Sequence, residues 1–376
     1  MRCGVYQMQF LANFSPAYFG ISVLALLVML VTIVFIHEFG HFIVGRWCGV
    51  NIEAFSIGFG REIFGFNDKH GTRWKVCMLP LGGYVKFEGD ANAASLPSTT
   101  QAPSPTSLQG AALWKRFLIV LAGPISNFIL SIVIFASMAV FVGEYVIPAK
   151  VGGVKENSAA SAAGLQVGDL IRKIDGKPIA SFADITEAMV LQGETPVLLT
   201  IERGGQTFDV SLTPKTQIVD DEINGKMKRS LIGISSDATN AQAVKSNVVE
   251  GLAIGVNRTW FITATTMRYL GKMFLGLESA DQMHGPIGIA KMAGTTASMG
   301  LATFIFFIGY ISVSIGLVNL FPIPMLDGGH LVFFIIEGIM GKPVSQQTQE
   351  WSFRIGLSAI LMLVIFVSKN DLFSRF

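Results

Sequence analysis

Charge is what this sequence has least of: Asp, Glu, Lys and Arg supply 14% of its 376 residues, whereas hydrophobic residues supply 51%. Soluble domains carry about a quarter of charged residues, so an ordinary soluble enzyme is excluded. A mean hydropathy of +0.53 indicates a multi-span membrane protein instead. The charge balance is near neutral, formally +2. Without a basic run or a phosphate-cradling glycine motif, nucleic acid drops out of the expected partners. Cysteine is equally sparse. Cys3, Cys48 and Cys77 are far apart and form no C-x-x-C pair, which excludes a disulfide framework and a cysteine zinc site and leaves small buried hydrophobes as their reading. Arg2 is the one basic residue ahead of the first apolar run, and no cleavage site precedes residue 37, so that run reads as a retained span and not a signal peptide.

Histidine numbers five, and two of these stand in one H-E-x-x-H run, Phe35-Ile36-His37-Glu38-Phe39-Gly40-His41, inside a long apolar segment. Residues four apart share a helix face, so His37 and His41 present both imidazoles to a single ion. Glu38, one step behind, is placed to take a proton from the attacking water as general base. The plainer alternative is a pair of satisfied polar residues on a packed helix. It is weak here, because charged groups at membrane depth are expensive unless they are functional.

Four apolar runs, at about residues 18–44, 114–142, 301–321 and 355–367, set the expected span count at about four, since a span needs roughly 20 helical residues. The last is the shortest. Ala122-Gly123-Pro124 in the second run offers small residues for close helix contact and a proline that neighbours must compensate. The first connecting loop holds Arg46, Arg61, Lys69, Arg73, Lys75, Lys86, Lys115 and Arg116. By the positive-inside rule it is cytoplasmic, both termini face outward, and the long middle region lies outside the cytoplasm. His37 and His41 then sit towards the cytoplasmic end of the first span.

Residues 91–109 are rich in Ser, Thr, Pro and Ala and read as a flexible linker. Ahead of them, residues 52–66 and 73–87 alternate or cluster β-favouring residues and read as short strands and turns. Such a hairpin dips into the membrane only where it lines a protein cavity, where its edge pairs with an unwound chain. An ordinary surface hairpin is the alternative. Residues 147–214 read as a compact soluble module: a strand ending at the Asp175-Gly176 turn, an amphipathic helix over 182–191, and strands 197–202 and 207–212 joined through Gly204-Gly205. This order resembles a bacterial PDZ domain in its circularly permuted form, a fold that binds extended chains by strand addition. A domain that merely shields the membrane site is the second reading. Residues 251–277 are amphipathic and belong at the membrane surface or against the spans.

Two histidines leave zinc one protein ligand short. Glu53 and Glu62 lie in the hairpin region, with nothing to place them over the motif. The stronger candidate follows the third apolar run, where Asn319-Leu320-Phe321-Pro322-Ile323-Pro324-Met325-Leu326-Asp327-Gly328-Gly329 breaks a helix with two prolines and then offers a carboxylate. Broken backbone at membrane depth points to a cavity or a site, so Asp327 is the expected third ligand. His330 is its rival, or a partner that holds Asp327 in place.

The run HEFGH, the segment FSIGFG, the PDZ-like module and NLFPIPMLDGGH, in that order, resemble the site-2 protease family of intramembrane zinc metalloproteases, in its bacterial regulator of sigma-E protease branch. The resemblance covers nearly the whole chain. It implies cleavage of single-span membrane proteins in or near the bilayer during regulated intramembrane proteolysis, the substrates being trimmed anti-sigma factors or remnant signal peptides. Carried over by position, His37, His41 and Asp327 bind Zn2+ and Glu38 activates water. Asn319 contacts substrate backbone, and Gly58-Phe59-Gly60 belong to a membrane-reentrant β element that holds substrate extended. The chain departs from the best-studied branch in having one PDZ module where that branch has two in tandem. The expected location is the bacterial inner membrane, with the active site on the cytoplasmic side and the PDZ domain in the periplasm.

The expected fold class is therefore a polytopic α-helical membrane protein of about four transmembrane helices, with a membrane-associated β-hairpin region and an extracytoplasmic α+β PDZ domain. The chain divides into a first span with the metal motif (1–46), a cytoplasmic or reentrant β region with linker (47–112) and a second span (113–144). The PDZ domain (145–238), an amphipathic region (239–299) and the third and fourth spans (300–376) follow. A rival from another class is a membrane-embedded PDZ receptor or scaffold with a closed structural zinc site, in which His330 is the fourth ligand. Glu38 argues against it, since a structural site needs no base. A transporter ranks last for want of paired inverted repeats.

Overall fold

The computed structural model describes residues 16–89, 104–192, 194–221, 225–237, 242–277 and 283–373. Helix α1 (Pro16–Trp47) is followed by strands β1 (Ile52–Asn67) and β2 (Arg73–Phe87) and by helix α2 (Leu113–Ser137), which ends in a π-turn at Met138–Val142. The middle region holds β3 (Glu144–Val146), β4 (Val151–Val154), α3 (Ala159–Ala162), β5 (Leu170–Ile174), β6 (Lys177–Pro178), α4 (Phe182–Gln192), β7 (Val197–Arg203) and β8 (Gln206–Leu212). It continues with β9 (Lys215–Asp221), β10 (Gly225–Leu231), β11 (Ile234–Ser236) and β12 (Gln242–Val244). Helices α5 (Val248–Phe274), α6 (Pro286–Met299), α7 (Leu301–Asn319), α8 (Asp327–Met340) and α9 (Gln346–Phe373) complete the described fold.

Among the described residues, four helices are long and apolar enough to cross a membrane: Tyr18–Trp47, Leu113–Val142, Leu301–Asn319 and Gln347–Leu372. Helix is the form an apolar run takes in lipid, because it satisfies every backbone group within the segment. The fourth span differs from expectation. It has 26 residues where the third has 19, because polar residues such as Gln349, Arg354, Ser368 and Asn370 at its two ends conceal its length from a search for unbroken apolar sequence.

The bundle is built around α2, which packs on α1, α5, α7 and α8. One buried cluster joins Ala25, Met29 and Ile33 of α1 to Met292 and Ala293 of α6 and to Phe304, Phe307 and Ile311 of α7. Burying each of the larger of these side chains, Met, Ile or Phe, is worth about 1.5–3 kcal/mol in water. Between helices in lipid that drive is absent, and close packing takes its place. Gly251 and Gly255 let α5 lie directly on α2, where an added Cβ at Gly251 would come 3.1 Å from the Ala136 carbonyl. Helix α6, hidden within the expected amphipathic stretch, is anchored at its N-terminus by Asp371 of α9. That carboxylate accepts the Gly285 and Gly288 N–H groups at 3.1 and 2.8 Å.

Strands β1 and β2 are longer than the expected short strands. Positive-φ glycines at Gly58 and Gly60 (φ +87° and +88°) bend β1, a backbone form only glycine adopts cheaply. The register then places Phe55 opposite both Val85 and Trp74, and Val76 opposite both Ile57 and Phe64. The hairpin is thus folded over itself, with 83–87 as one outer edge. Phe42 of α1 meets Phe55 and Trp74 edge-on at 5.5 and 4.9 Å, which roots this sheet on the first span. The expected linker lies outside the described residues over 91–103. Residues 104–109, however, are folded, and Leu108 is buried among Phe42, Val50 and Phe87. Ser and Thr here hydrogen-bond their own backbone, as in Ser107 Oγ to Ser104 O at 2.7 Å, so their composition supports tight turns as well as a linker.

The middle region folds on a four-stranded antiparallel sheet ordered β6-β5-β7-β8, with β4 paired to β11 beside it. Its core gathers Ile171, Leu199 and Ile201 with Ile185 and Met189 of α4, the alternate positions of the strands and one face of the helix. Asp175 (φ 48°) and Gly176 (φ 78°) make the tight β5–β6 turn.

Candidate metal centre

His37 and His41 are both buried on one face of α1, one helical turn apart. Their Nε2 atoms lie 3.3 Å from each other. Opposite them, Asp327 presents Oδ2 at 3.0 Å from His37 Nε2 and Oδ1 at 3.6 Å from His41 Nε2. Among the described residues this is the one group of three or more His, Cys, Asp or Glu side chains able to hold an ion, with ligand atoms within 4.8 Å of one another.

The local sequence explains how α1 and α8 meet here. After Asn319 the chain leaves α7, and Pro322 and Pro324 prevent it from continuing as helix. Met325 takes a left-handed backbone (φ +87°), a strained form for a non-glycine residue that costs about 1–3 kcal/mol. Gly328 and Gly329 tuck under Leu320, Phe321 and Ile323, where a Cβ would strike their carbonyl oxygens. This tight return starts α8 at Asp327 itself, so its carboxylate projects from the first turn towards α1. Beneath the two imidazoles the α2 residue is Gly123. A Cβ there would land on His41 Nε2 and within 2.9 Å of His37 Cε1.

The donor set fits zinc. The Ile119 carbonyl can only accept, so the 2.8 Å contact from His41 Nδ1 puts the ring proton on Nδ1 and leaves the Nε2 lone pair facing the centre. Asp327 Oδ2 is buried with no well-aligned hydrogen bond, an arrangement that an ion relieves. Two imidazoles and one carboxylate give three protein ligands and leave a position for water, the pattern of a catalytic site.

Glu38 faces a cavity of about 800 Å³ that also reaches His37, His41, Asp327 and Asn319. The Val85 backbone faces the Glu38 carboxylate, so the folded-over sheet comes up against this side chain. Gly83 is equally close: an added Cβ would come 3.4 Å from Glu38 Cγ. Of the expected β residues, Phe59 lines the cavity and stacks on Tyr84 at 5.9 Å. Gly58 and Gly60 are not cavity-lining; they form the bend that brings the strand carrying Gly82, Gly83 and Tyr84 to the wall. Glu53 and Glu62 are held in ion pairs with Lys86 and Arg73, away from the histidines. His330 lines the cavity, but its ring leans on Phe353 at 5.4 Å and it falls outside the three-residue group.

One feature of the cavity escaped the sequence reading. Arg116 makes a two-pronged ion pair with Glu337 of α8, at 3.0 and 2.5 Å, across the cavity wall. The sequence signal was a lone glutamate in an apolar helix, which calls for a cation partner. An edge of this hairpin able to pair with an unwound chain was expected; that 82–85 is the stretch that meets the cavity follows from the fold-over at Gly58 and Gly60.

The profile of peptidase family M50 matches residues 25–363. A candidate zinc metalloprotease of Rhizobium meliloti is 45% identical over 354 residues, covering 92% of this chain and 95% of that one. Metalloprotease MmpA of Caulobacter vibrioides is 36% identical over 382 residues, covering 94% and 96%. Among solved structures, the PDZ domain of an SdrC-like protein of Listeria innocua matches at 24% identity and a TM-score of 0.19, covering 25% of this chain and 94% of that one.

Proposed function

The chain belongs to peptidase family M50, the site-2 protease family, and is a zinc metalloprotease of the membrane; from that premise we propose that it hydrolyses a peptide bond in single-span membrane proteins during regulated intramembrane proteolysis. The observation that carries this reading is the convergence of His37, His41 and Asp327 beside Glu38, inside a helical bundle and on a cavity walled by a β edge. In this reading the two imidazoles and the Asp327 carboxylate hold the ion. Zinc, when bound, supplies Lewis-acid polarisation of the scissile carbonyl and acidifies water. Glu38 takes the proton of the attacking water and returns it to the leaving amine.

A helical substrate bond is shielded and internally hydrogen-bonded, so the substrate must unwind first. The edge at 82–85 offers backbone groups to an extended chain at the cavity wall, supporting capture by strand addition. Phe59 contributes an apolar surface there. Gly58 and Gly60 set the bend, and the Asn319 amide reaches substrate backbone from the end of α7. The substrates fitting this mode are trimmed anti-sigma factors or remnant signal peptides. We assign the middle α+β module to the PDZ fold and to the periplasm. The cation-rich segment between the first two spans is assigned to the cytoplasm, which sets the centre on the cytoplasmic side of the inner membrane.

The test is a comparison of cells producing the wild-type chain with cells producing Glu38→Gln, which keeps all three ligands. Membrane-protein fragments are expected to accumulate in the variant, with turnover of a purified fragment in detergent down by at least about a thousandfold and zinc content unchanged. Wild-type turnover by the variant overturns the assignment of Glu38. Absence of any accumulating fragment overturns the membrane-substrate reading.

A further inference from the structure

Asn127 is completely buried in α2, 0% exposed, and its carboxamide Nδ2 lies 3.2 Å from His37 Nδ1. Its other end, Oδ1, is buried with no hydrogen-bond partner. A polar side chain left partly unpaired among apolar helices is costly, and an apolar residue of the same size would avoid that cost. The residue is also held rigidly. Its backbone carbonyl accepts Ser131 Oγ and, from α7, Ser312 Oγ, both at 2.9 Å. Gly316 of α7 presses on its Cβ, leaving 3.1 Å for an added methyl. The amide is therefore fixed against the outer nitrogen of one proposed ligand.

The two histidines pose the same chemical requirement. To give an ion its Nε2 lone pair, a neutral imidazole must carry its proton on Nδ1 and needs an acceptor there. For His41 the acceptor is the Ile119 carbonyl at 2.8 Å. For His37 the group within reach is Asn127. The two ends of a carboxamide are nearly isosteric, so a half-turn about Cβ–Cγ exchanges them without moving anything else. With Nδ2 towards His37, the amide donates to Nδ1 and forces the proton onto Nε2, facing Asp327. With Oδ1 towards His37, the amide accepts Nδ1–H and frees Nε2.

We infer that Asn127 is a positioning residue for the metal centre: its carboxamide oxygen accepts the His37 Nδ1–H and holds His37 in the tautomer that presents Nε2 to the ion. This rests on the His37–His41–Asp327 site proposed above and adds to it a group that touches neither ion nor substrate. One helix, α2, then orients both imidazoles, through Ile119 for one and Asn127 for the other.

The test uses the purified full chain in detergent and reads zinc affinity by chelator competition, with visible spectra of the cobalt-loaded protein as a second readout. Asn127→Leu keeps the shape and removes the acceptor; a loss of about 10–100-fold in zinc affinity is expected, the range for such supporting partners, with an altered cobalt spectrum. Asn127→Asp keeps an acceptor and is expected to stay within a few-fold of wild type with an unaltered spectrum. A merely space-filling role gives the opposite ranking, since leucine packs and a buried carboxylate does not. Wild-type affinity and spectrum in Asn127→Leu overturn the inference and leave the metal site standing. If Asn127→Leu does not yield folded protein, a tens-fold loss in folded Asn127→Asp overturns it equally. His37→Ala run alongside separates the two levels: should it bind zinc like wild type, the metal-site reading itself fails and the inference goes with it.

Discussion

At the scale of single residues, the proposed centre depends as much on a missing side chain as on the proposed ligands. Gly123 sits in α2 where any Cβ meets both imidazoles. In a water-exposed helix, Gly→Ala stabilises by up to about 1 kcal/mol, so alanine is an unusually mild probe of the backbone. Here it is expected to displace His41 and lower zinc affinity at least tenfold, while the chain remains folded and monodisperse in detergent. Zinc per chain after chelator dialysis, together with the thermal unfolding midpoint, checks this. Full zinc content at wild-type affinity would mean that the imidazoles do not occupy the positions described. The residues that converge at the centre were legible in the sequence because the four-residue spacing of His37 and His41 is local information, and because two prolines followed by Asp327 are conspicuous after an apolar run. Gly123 was read only as a close-contact residue. What it contacts depends on the register of α2 against α1, which no local pattern encodes.

At the scale of elements, the folded-over sheet is tied to the end of α1 by one carboxylate. Asp68, in the turn between β1 and β2, accepts the Trp74 indole N–H at 3.0 Å and the His70 and Thr72 N–H groups at 2.9 and 3.1 Å, and pairs with Arg46. Burial alone would push its carboxyl upward, but these four donors outweigh it and bring it down to about 2. Because the folded pKa lies below the unfolded one, the stabilisation is complete above about pH 4 and is lost as pH falls from there towards 2. Limited proteolysis or hydrogen exchange over residues 62–76 is therefore expected to rise between pH 4 and pH 2.5 in the wild type. In Asp68→Asn it is expected to be high already at pH 6, with little further change. An Asn variant that retains the acid step assigns the transition to another group. Strand character was legible here from alternation and aromatic content, but the fold-over was not. It arises from positive-φ glycines within β1 and from aromatic stacking such as Phe55 on Trp74 at 4.4 Å, which turn one hairpin into a small curled sheet. The fourth span shows the reverse case. Its polar ends hid a continuous helix, because a search for unbroken hydropathy stops where helical hydrogen bonding does not.

At the scale of the whole molecule, depth follows from helix geometry. With a rise of about 1.5 Å per residue, His41 lies about 9 Å from the Trp47 end of the first span and His37 about 28 Å from its Tyr18 end. The centre is therefore much nearer the end that carries the folded-over sheet than the end that carries α6. The cations Arg61, Lys69, Arg73 and Lys75 gather at that near end, whereas the α+β module follows α2 at the far end. If charge sets the orientation, the sheet and the metal centre face the cytoplasm and the module faces outward. Single cysteines at two exposed positions test this in a chain freed of Cys3, Cys48 and Cys77. Glu156→Cys, in the module, is expected to react with a membrane-impermeant maleimide on spheroplasts. Lys69→Cys, at the tip of the sheet, is expected to react only after the membrane is permeabilised. The reverse pattern inverts the topology and puts proton supply to Glu38 on the outer face. Labelling of both sites on intact spheroplasts removes the bilayer from between the sheet and the module, and with it the four-span reading.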